Sequence, residues 1–190
     1  MKHNILVIID AQNDFCHQDG SLTSKEAQNA VLNIEQLINT QDWDLIVVTR
    51  DTHSDNYMHT KEGISLPVPH CIENTWGWEI HESIQNKLKS KENVLKINKL
   101  TFGYNLIGNK IDNYLNISPD DEVKITVVGF CTDICVISNT LSLKAYFPFN
   151  AEITVLSNHC AGTSPVMHDY ALAVMTSCQI NISTERYDTV

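Results

Sequence analysis

Glycine and proline are scarce in this chain, seven and five in 190 residues, and they gather with serine into no linker. No stretch repeats at a fixed period. The first absence argues against tethered modules and the second against a solenoid or propeller, so one domain spanning 1–190 is expected. Long apolar runs are missing as well. Ile5–Ile9, ended by Asp10, is too short for a signal-peptide core, and no later stretch approaches the ~20 residues of a membrane span. A cytoplasmic protein without a membrane partner is expected. Cations are few, 13 Lys and Arg against 23 Asp and Glu, for a net charge of −10 and a pI near 5.1. With no basic stripe, phosphate-backbone binding is excluded and no nucleic-acid partner is expected. Cys16, Cys71, Cys131, Cys135, Cys160 and Cys178 form no C-x-x-C pair, and a reducing compartment would keep them as thiols. What the chain does have is apolar mass, 43% of its residues. At this length roughly 70% of the unfolded surface can be buried, so neither disulfide nor structural metal is needed for stability.

The apolar segments alternate in type. Asn4–Ile9 is a continuous β-branched run, the pattern of a strand buried on both faces, and it ends in Asp10-Ala-Gln-Asn-Asp14-Phe15. Thr23–Thr40 carries Ala27, Ala30, Val31, Ile34, Leu37 and Ile38 at helical spacing. Leu45–Thr49 reads as a strand followed by Arg50-Asp51-Thr52-His53, and Ser54–Thr75, broken by Pro67 and Pro69, as a long excursion. Trp78–Leu88 reads as helix, Val94–Ile97 as strand, Leu106–Leu115 as helix, Val123–Val128 as strand, and Asp133–Ala145 as helix. Ala151–Leu156, Val166–Ser177 and Gln179–Ser183 complete the set as strand, helix and short strand. Such alternation predicts an α/β fold, a three-layer α/β/α sandwich around a mainly parallel six-stranded sheet with right-handed crossovers.

In open sheets of this kind, ligands sit beyond the carboxyl ends of the strands, and the reactive side chains fall there. Asp10 follows the first strand, Asp51 and His53 the second, Lys99 the third, Cys131 and Cys135 the fourth. Cys135 lies at the start of a helix, where unpaired backbone N–H groups stabilise a thiolate and can receive an oxyanion. Asp51-x-His53 with His70 suits Zn²⁺, Mn²⁺ or Fe²⁺, and His59 and Glu62 are further candidate ligands. Each residue alone has a mundane reading: a buried apolar cysteine, a capping aspartate, a surface lysine, solvated loop histidines. Their coincidence at four strand ends outweighs those readings.

The ordered motifs Asp10-x-Gln12-x-Asp14-Phe15, Thr49-Arg50-Asp51-x-His53, Pro69-His70-Cys71, Lys99 and Gly129-x-x-Thr132-Asp133-x-Cys135-Val136 resemble the isochorismatase-like cysteine hydrolases. Within that superfamily they are most similar to the nicotinamidase/pyrazinamidase branch. The resemblance spans nearly the whole chain. It implies a catalytic triad of Asp10, Lys99 and Cys135, an oxyanion hole from the N–H groups of Cys131 and Cys135, and a cis peptide at Phe130–Cys131. It implies a metal site of Asp51, His53 and His70, zinc first and manganese or iron next, with His59 or Glu62 open as a further ligand. Two departures stand out: no aromatic residue precedes Pro69-His70-Cys71 closely, and Cys131 stands where alanine is common. Phe15, Phe102 and Tyr104, or Trp76 or Trp78, are expected to supply a substrate wall instead.

The implied reaction is hydrolysis of a small-molecule amide through a Cys135 thioester, nicotinamide being the leading substrate, in a homo-oligomer. The alternatives are a ureido amidohydrolase with an acyclic substrate, an isochorismatase, and a non-catalytic thiol protein in which Cys131 and Cys135 pair. Cys135, Asp51, His53 and His70 argue against the isochorismatase.

Overall fold

The computed structural model describes residues 1–184. In chain order the elements are β1 (Lys2–Ile9), α1 (Asn13–Cys16), α2 (Lys25–Leu37), β2 (Leu45–Asp51), α3 (Lys61–Ser65), α4 (Glu82–Leu88) and β3 (Val94–Lys99). Then follow α5 (Ile107–Leu115), β4 (Glu122–Phe130), α6 (Ile137–Tyr146), β5 (Ala151–Ala161), α7 (Pro165–Ser177) and β6 (Asn181–Ser183). The strands pair in the order β3-β2-β1-β4-β5-β6, each pair parallel. This is the expected α/β/α sandwich.

Alternation along the strands builds its layers. Leu6, Ile8, Ile46 and Val48 pack under Ala27, Ala30, Val31 and Ile34 of α2 and Ile84 and Leu88 of α4. Ile5, Val7, Ile9, Leu45 and Val47 face the other way, against Ile107 and Ile111 of α5, Leu143 of α6 and Met175 of α7. Each such side chain removed from water stabilises the fold by about 1.5–3 kcal/mol, and truncating Ile34 to alanine would cost about 2–5 kcal/mol. Ser24 starts α2 by accepting the Ala27 N–H at 3.1 Å, and Ser164 starts α7 by accepting that of Met167 at 3.2 Å.

The chain leaves β1 toward β2 and β3 on one side and resumes with β4 on the other. A crevice therefore opens at the carboxyl ends of β1 and β4. Registers Asp51–Lys99 and Ile9–Gly129 bring the ends of four strands level. Gly129 is needed there: its φ is +129°, and a Cβ would lie 2.0 Å from the Ile9 carbonyl oxygen.

Several boundaries differ from the sequence expectations. Helix α4 begins at Glu82 rather than Trp78, because the preceding backbone is spent on the Asp10–Asn13 segment: Asn13 N–H bonds Glu79 O, His81 N–H bonds Ala11 O, and Gln12 bridges Ile80. The helix expected from Asp133 to Ala145 begins as a π-turn, Thr132–Val136, before α6. Within the excursion, a 3-10 turn (Tyr57–His59) and α3 form, so it is more ordered than its prolines imply. The last strand starts at Asn181, since Gln179 turns the chain with φ 63°. No described helix is long and apolar enough to cross a membrane.

Candidate active site

Lys99 ends β3 and is 1% exposed, an environment that demands charge partners. Its Nζ lies 2.7 Å from Asp10 Oδ2, 3.3 Å from Asp51 Oδ1 and 3.5 Å from Cys135 Sγ. Burial alone would lower its pKa, but Asp10, Cys135 and Asp51 together raise it above the usual lysine range. The ammonium thus stays charged and ties three strand ends together.

Asp10 caps no helix. It leaves β1 with φ 48°, a conformation fixed by Thr49, whose hydroxyl accepts the Asp10 N–H at 3.1 Å and donates to Oδ1 at 2.6 Å. Oδ2 receives no aligned hydrogen bond and meets Lys99 as an ion pair. Burial, reinforced by Asp51, raises the Asp10 pKa in spite of Lys99. The result is a carboxylate more basic than an exposed one, with a free lone pair.

Cys135, 4% exposed, sits in the π-turn. Ile134 and Val136 N–H groups both turn back on the Cys131 carbonyl, at 3.1 and 3.0 Å, winding the backbone around the pocket floor. The expected cis peptide is present at Phe130–Cys131. Burial first, then the Asp10 charge, lifts the Cys135 pKa well above the usual thiol value, against the pull of Lys99. The resting group is therefore a thiol. Desolvation outweighs the stabilisation of a thiolate expected from the helix start, so a base is required. Cys131 is half-buried beside it, its pKa pushed up to about 12, chiefly by burial.

Next to Asp10, Lys99 and Cys135, the residues Asp51, His53, Glu62 and His70 bring one donor atom each within 4.8 Å of one another. His53 Nε2 is 3.0 Å from Asp51 Oδ2 and 3.5 Å from Glu62 Oε1; His70 Nε2 is 3.8 and 3.9 Å from the same two atoms. His70 Nδ1 donates to the Val68 carbonyl at 2.9 Å, which leaves Nε2 as the lone-pair nitrogen facing the cluster. The long excursion returns there because His53 N–H bonds Cys71 O and Glu73 N–H bonds His53 O, a short parallel bridge. Of the two open ligands, the structure brings in Glu62; His59 is exposed and takes no part. Asp10, Asp51 and Glu62 against Lys99 leave two net negative charges, so a divalent cation would neutralise the group. Two imidazoles and two carboxylates are the donor set for Zn²⁺, Mn²⁺ or Fe²⁺, and the site fits such an ion.

A cavity of about 730 Å³ opens over these groups, lined by Cys135, Cys131, Asp51, Glu62 and His70 at its base and by Phe15, Phe102, Phe130, Leu22 and Leu66 on its walls. Phe15 and Phe102 thus line it. Tyr104 does not: it is half-buried and packs against the core on the α5–α6 side. Trp78 is buried, donating to Thr52 Oγ1 at 2.8 Å beneath the Arg50 guanidinium, and Trp76 is exposed beside His17; neither lines the cavity.

Sequence reasoning singled out Gln12 and Asp14 as motif members without seeing what they hold. Gln12 clamps Asp51 from both sides, accepting its N–H at 2.7 Å and donating to its carbonyl at 2.8 Å. Asp14 accepts the Cys71 N–H at 2.7 Å and so fixes the turn carrying His70. Thr49, also a motif member, holds Asp10, and Asn139 was missed. A buried polar residue beside each reactive group was the available signal, but burial is invisible in sequence.

The fold and site define a class: a parallel α/β sandwich with a cysteine, a carboxylate and a lysine beside a metal-ligand cluster at the switch point. Residues 4–186 match the model of the isochorismatase domain, and the chain belongs to that family. It is 31% identical over 140 residues to the nicotinamidase/pyrazinamidase of Mycobacterium tuberculosis, covering 69% of this chain and 73% of the relative. It is 25% identical over 213 residues to the nicotinamidase of Schizosaccharomyces pombe, covering 97% and 94%. Among solved structures, a pyrazinamidase of Pyrococcus horikoshii in complex with zinc superposes with TM-score 0.77 at 23% identity, over 96% of this chain and 99% of that one, a likeness of fold.

Proposed function

We propose that this protein is a nicotinamidase, hydrolysing nicotinamide to nicotinate and ammonia through a thioester at Cys135. The observation that carries the reading is Lys99 Nζ in contact with both Asp10 and Cys135, where Cys135 lines an apolar, aromatic-walled cavity beside four groups able to ligate a metal. The relatives named nicotinamidase support it.

The chemistry follows from the pKa ordering. Asp10 removes the thiol proton through Oδ2 as Sγ attacks the carboxamide carbon, and Lys99 offsets the negative charge shared by the pair. Backbone N–H groups of Cys131 and Cys135 receive the oxyanion. Asp10 returns the proton to the departing nitrogen, ammonia leaves, and the acyl group remains on sulfur. Asp10 next takes a proton from water, whose oxygen attacks the thioester; as the tetrahedral adduct collapses Asp10 returns that proton to Cys135 sulfur, and the released acid gives its own proton to solvent to become nicotinate. Asp51, His53, Glu62 and His70 would hold the divalent ion, zinc being the first choice, which when bound supplies an electrophilic position for a ring nitrogen. Phe15 and Phe102 offer flat apolar surface to the ring, which favours a heteroaromatic amide over an acyclic ureide. Screening ammonia release from nicotinamide, pyrazinamide and small ureides tests the reading. Brisk release from the heteroaromatic amides is expected; release from ureides alone would reject it.

A further inference from the structure

We infer that Asn139 is a positioning residue that ties the Phe102 wall of the cavity to the turn carrying Cys135; the inference rests on the amidase reading of that cavity. Asn139 lies on α6 one turn beyond Cys135 and is fully buried. Its partners leave the amide one orientation. Tyr104 N–H can only donate, so Oδ1 faces it at 2.9 Å; the carbonyls of Phe102 and Cys135 can only accept, so Nδ2 donates to both, at 3.0 and 2.7 Å.

The segment held this way is otherwise open to solvent. It runs from catalytic Lys99 to α5, with Leu100 77% and Phe102 44% exposed. It lies close against α6, since a Cβ on Gly103 would sit 3.0 Å from Ser138 Cβ. Bonding the carbonyl four residues back does not require asparagine: the neighbouring Thr140 does so with its hydroxyl, to Val136 O at 2.7 Å. Asparagine adds one donor hydrogen and one acceptor, both spent on Phe102 and Tyr104. Where a buried side chain satisfies three backbone groups on two segments, the distance between those segments is fixed. Those segments carry the stacking wall and the nucleophile, so Asn139 governs how the substrate ring is held over Sγ.

Asn139→Thr separates the two duties, keeping a bond to the Cys135 carbonyl and dropping both bonds to the loop. Hydrogen exchange at Tyr104 N–H should lose about tenfold protection, and KM for nicotinamide should rise about tenfold with kcat held within about threefold, the scale of one or two neutral hydrogen bonds. Adding Phe102→Ala should raise KM little further, because the wall is already displaced. Alkylation of Cys135 by iodoacetamide, which needs no wall, should stay within about threefold of wild type. Unchanged Tyr104 protection with unchanged KM overturns the proposal. So does a joint fall of kcat, alkylation rate and Tm, which would mark a general loosening. If Asn139→Thr does not fold, Asn139→Ser makes the same separation with less bulk and is read identically. A wild-type protein that releases no ammonia from nicotinamide would sink the amidase reading, while Tyr104 exchange would still decide whether Asn139 holds the loop.

Discussion

Two buried carboxylates stand at opposite ends of the β1–β4 pair, whose register runs from Lys2–Glu122 to Ile9–Gly129. Asp121, before β4, is surrounded by donors: the Met1 ammonium, the Ser118 N–H at 2.9 Å and His3 Nε2 at 3.2 Å. The ammonium above all, with the Ser118 and His3 bonds, holds its carboxyl well below the usual range. Asp10, after β1, has Thr49 on one oxygen and the Lys99 ion pair on the other, and burial still raises its pKa. A carboxylate supplied with donors for its lone pairs is inert and structural. One buried with fewer donors is basic, and a proton can go there.

The largest effect expected at the Asp10 end is on the group its proton comes from. Cys135→Ala should reduce nicotinamide turnover to background, whereas Cys131→Ala should keep most of it; ammonia release from the two purified variants decides the roles. Asp10→Asn should lower kcat by about 10²–10⁴-fold. Asp121→Asn should leave kcat within about twofold and lower Tm instead, breaking the symmetry of the two carboxylates in one pair of measurements. The sign of the pH dependence differs too. The stabilisation from Asp121 is present at neutral pH and lost as pH falls below about 4, whereas the activity resting on ionised Asp10 fails at a higher pH, on an acid limb of kcat/KM above the ordinary aspartate value near 3.9.

Metal removal comes next in size. A chelator or His70→Ala should cost about two decades in kcat/KM for nicotinamide, restored in the chelated protein by added zinc. Benzamide, without a ring nitrogen, should be far poorer with metal present; equal turnover of the two amides would move the assignment toward an acyclic substrate. The smallest effect is on stability alone. His159 is 2% exposed, its Nδ1 has no partner among the described residues, and burial lowers its pKa to about 4. The unfolded chain binds this proton first, so stability should fall by about 2–3 kcal/mol as pH drops from about 6.5 toward 4, and His159→Phe should flatten that slope in denaturant titrations.

Much of this was legible in the chain. Strands buried on both faces read as apolar runs, and a run that stops at a charged residue marks a strand end, which is why Asp10, Asp51, Lys99 and Cys135 could be placed on one sheet edge. Legibility fails where backbone bonding replaces periodicity. Trp78–Ile80 carries a helical pattern, but the Trp78 and Glu79 N–H groups turn back on Thr75 and Trp76 while their carbonyls go to Gln12 and Asn13. It fails again where two candidate ligands compete locally: His59 and Glu62 flank the same turn, and only the three-dimensional return of His70 selects Glu62. Tyr104 and Asn139 show the remaining limit. A tyrosine in a loop looks like a wall and an asparagine among Ser138 and Thr140 looks like a helix surface, until packing against the core takes one away from the cavity and burial makes the other a clamp.

The central claim, that Cys135 is the nucleophile facing the substrate carbonyl, is tested most directly with nicotinaldehyde. The aldehyde has no nitrogen to expel, so attack stops at a thiohemiacetal on sulfur. Titration of wild-type and Cys135→Ala protein with aldehyde carrying a carbon-13 label at the carbonyl, the labelled carbon followed by NMR, should give tight binding and a tetrahedral thiohemiacetal signal in the first and neither in the second. A thiohemiacetal signal in the Cys135→Ala protein, or equal binding to both proteins, would contradict the account.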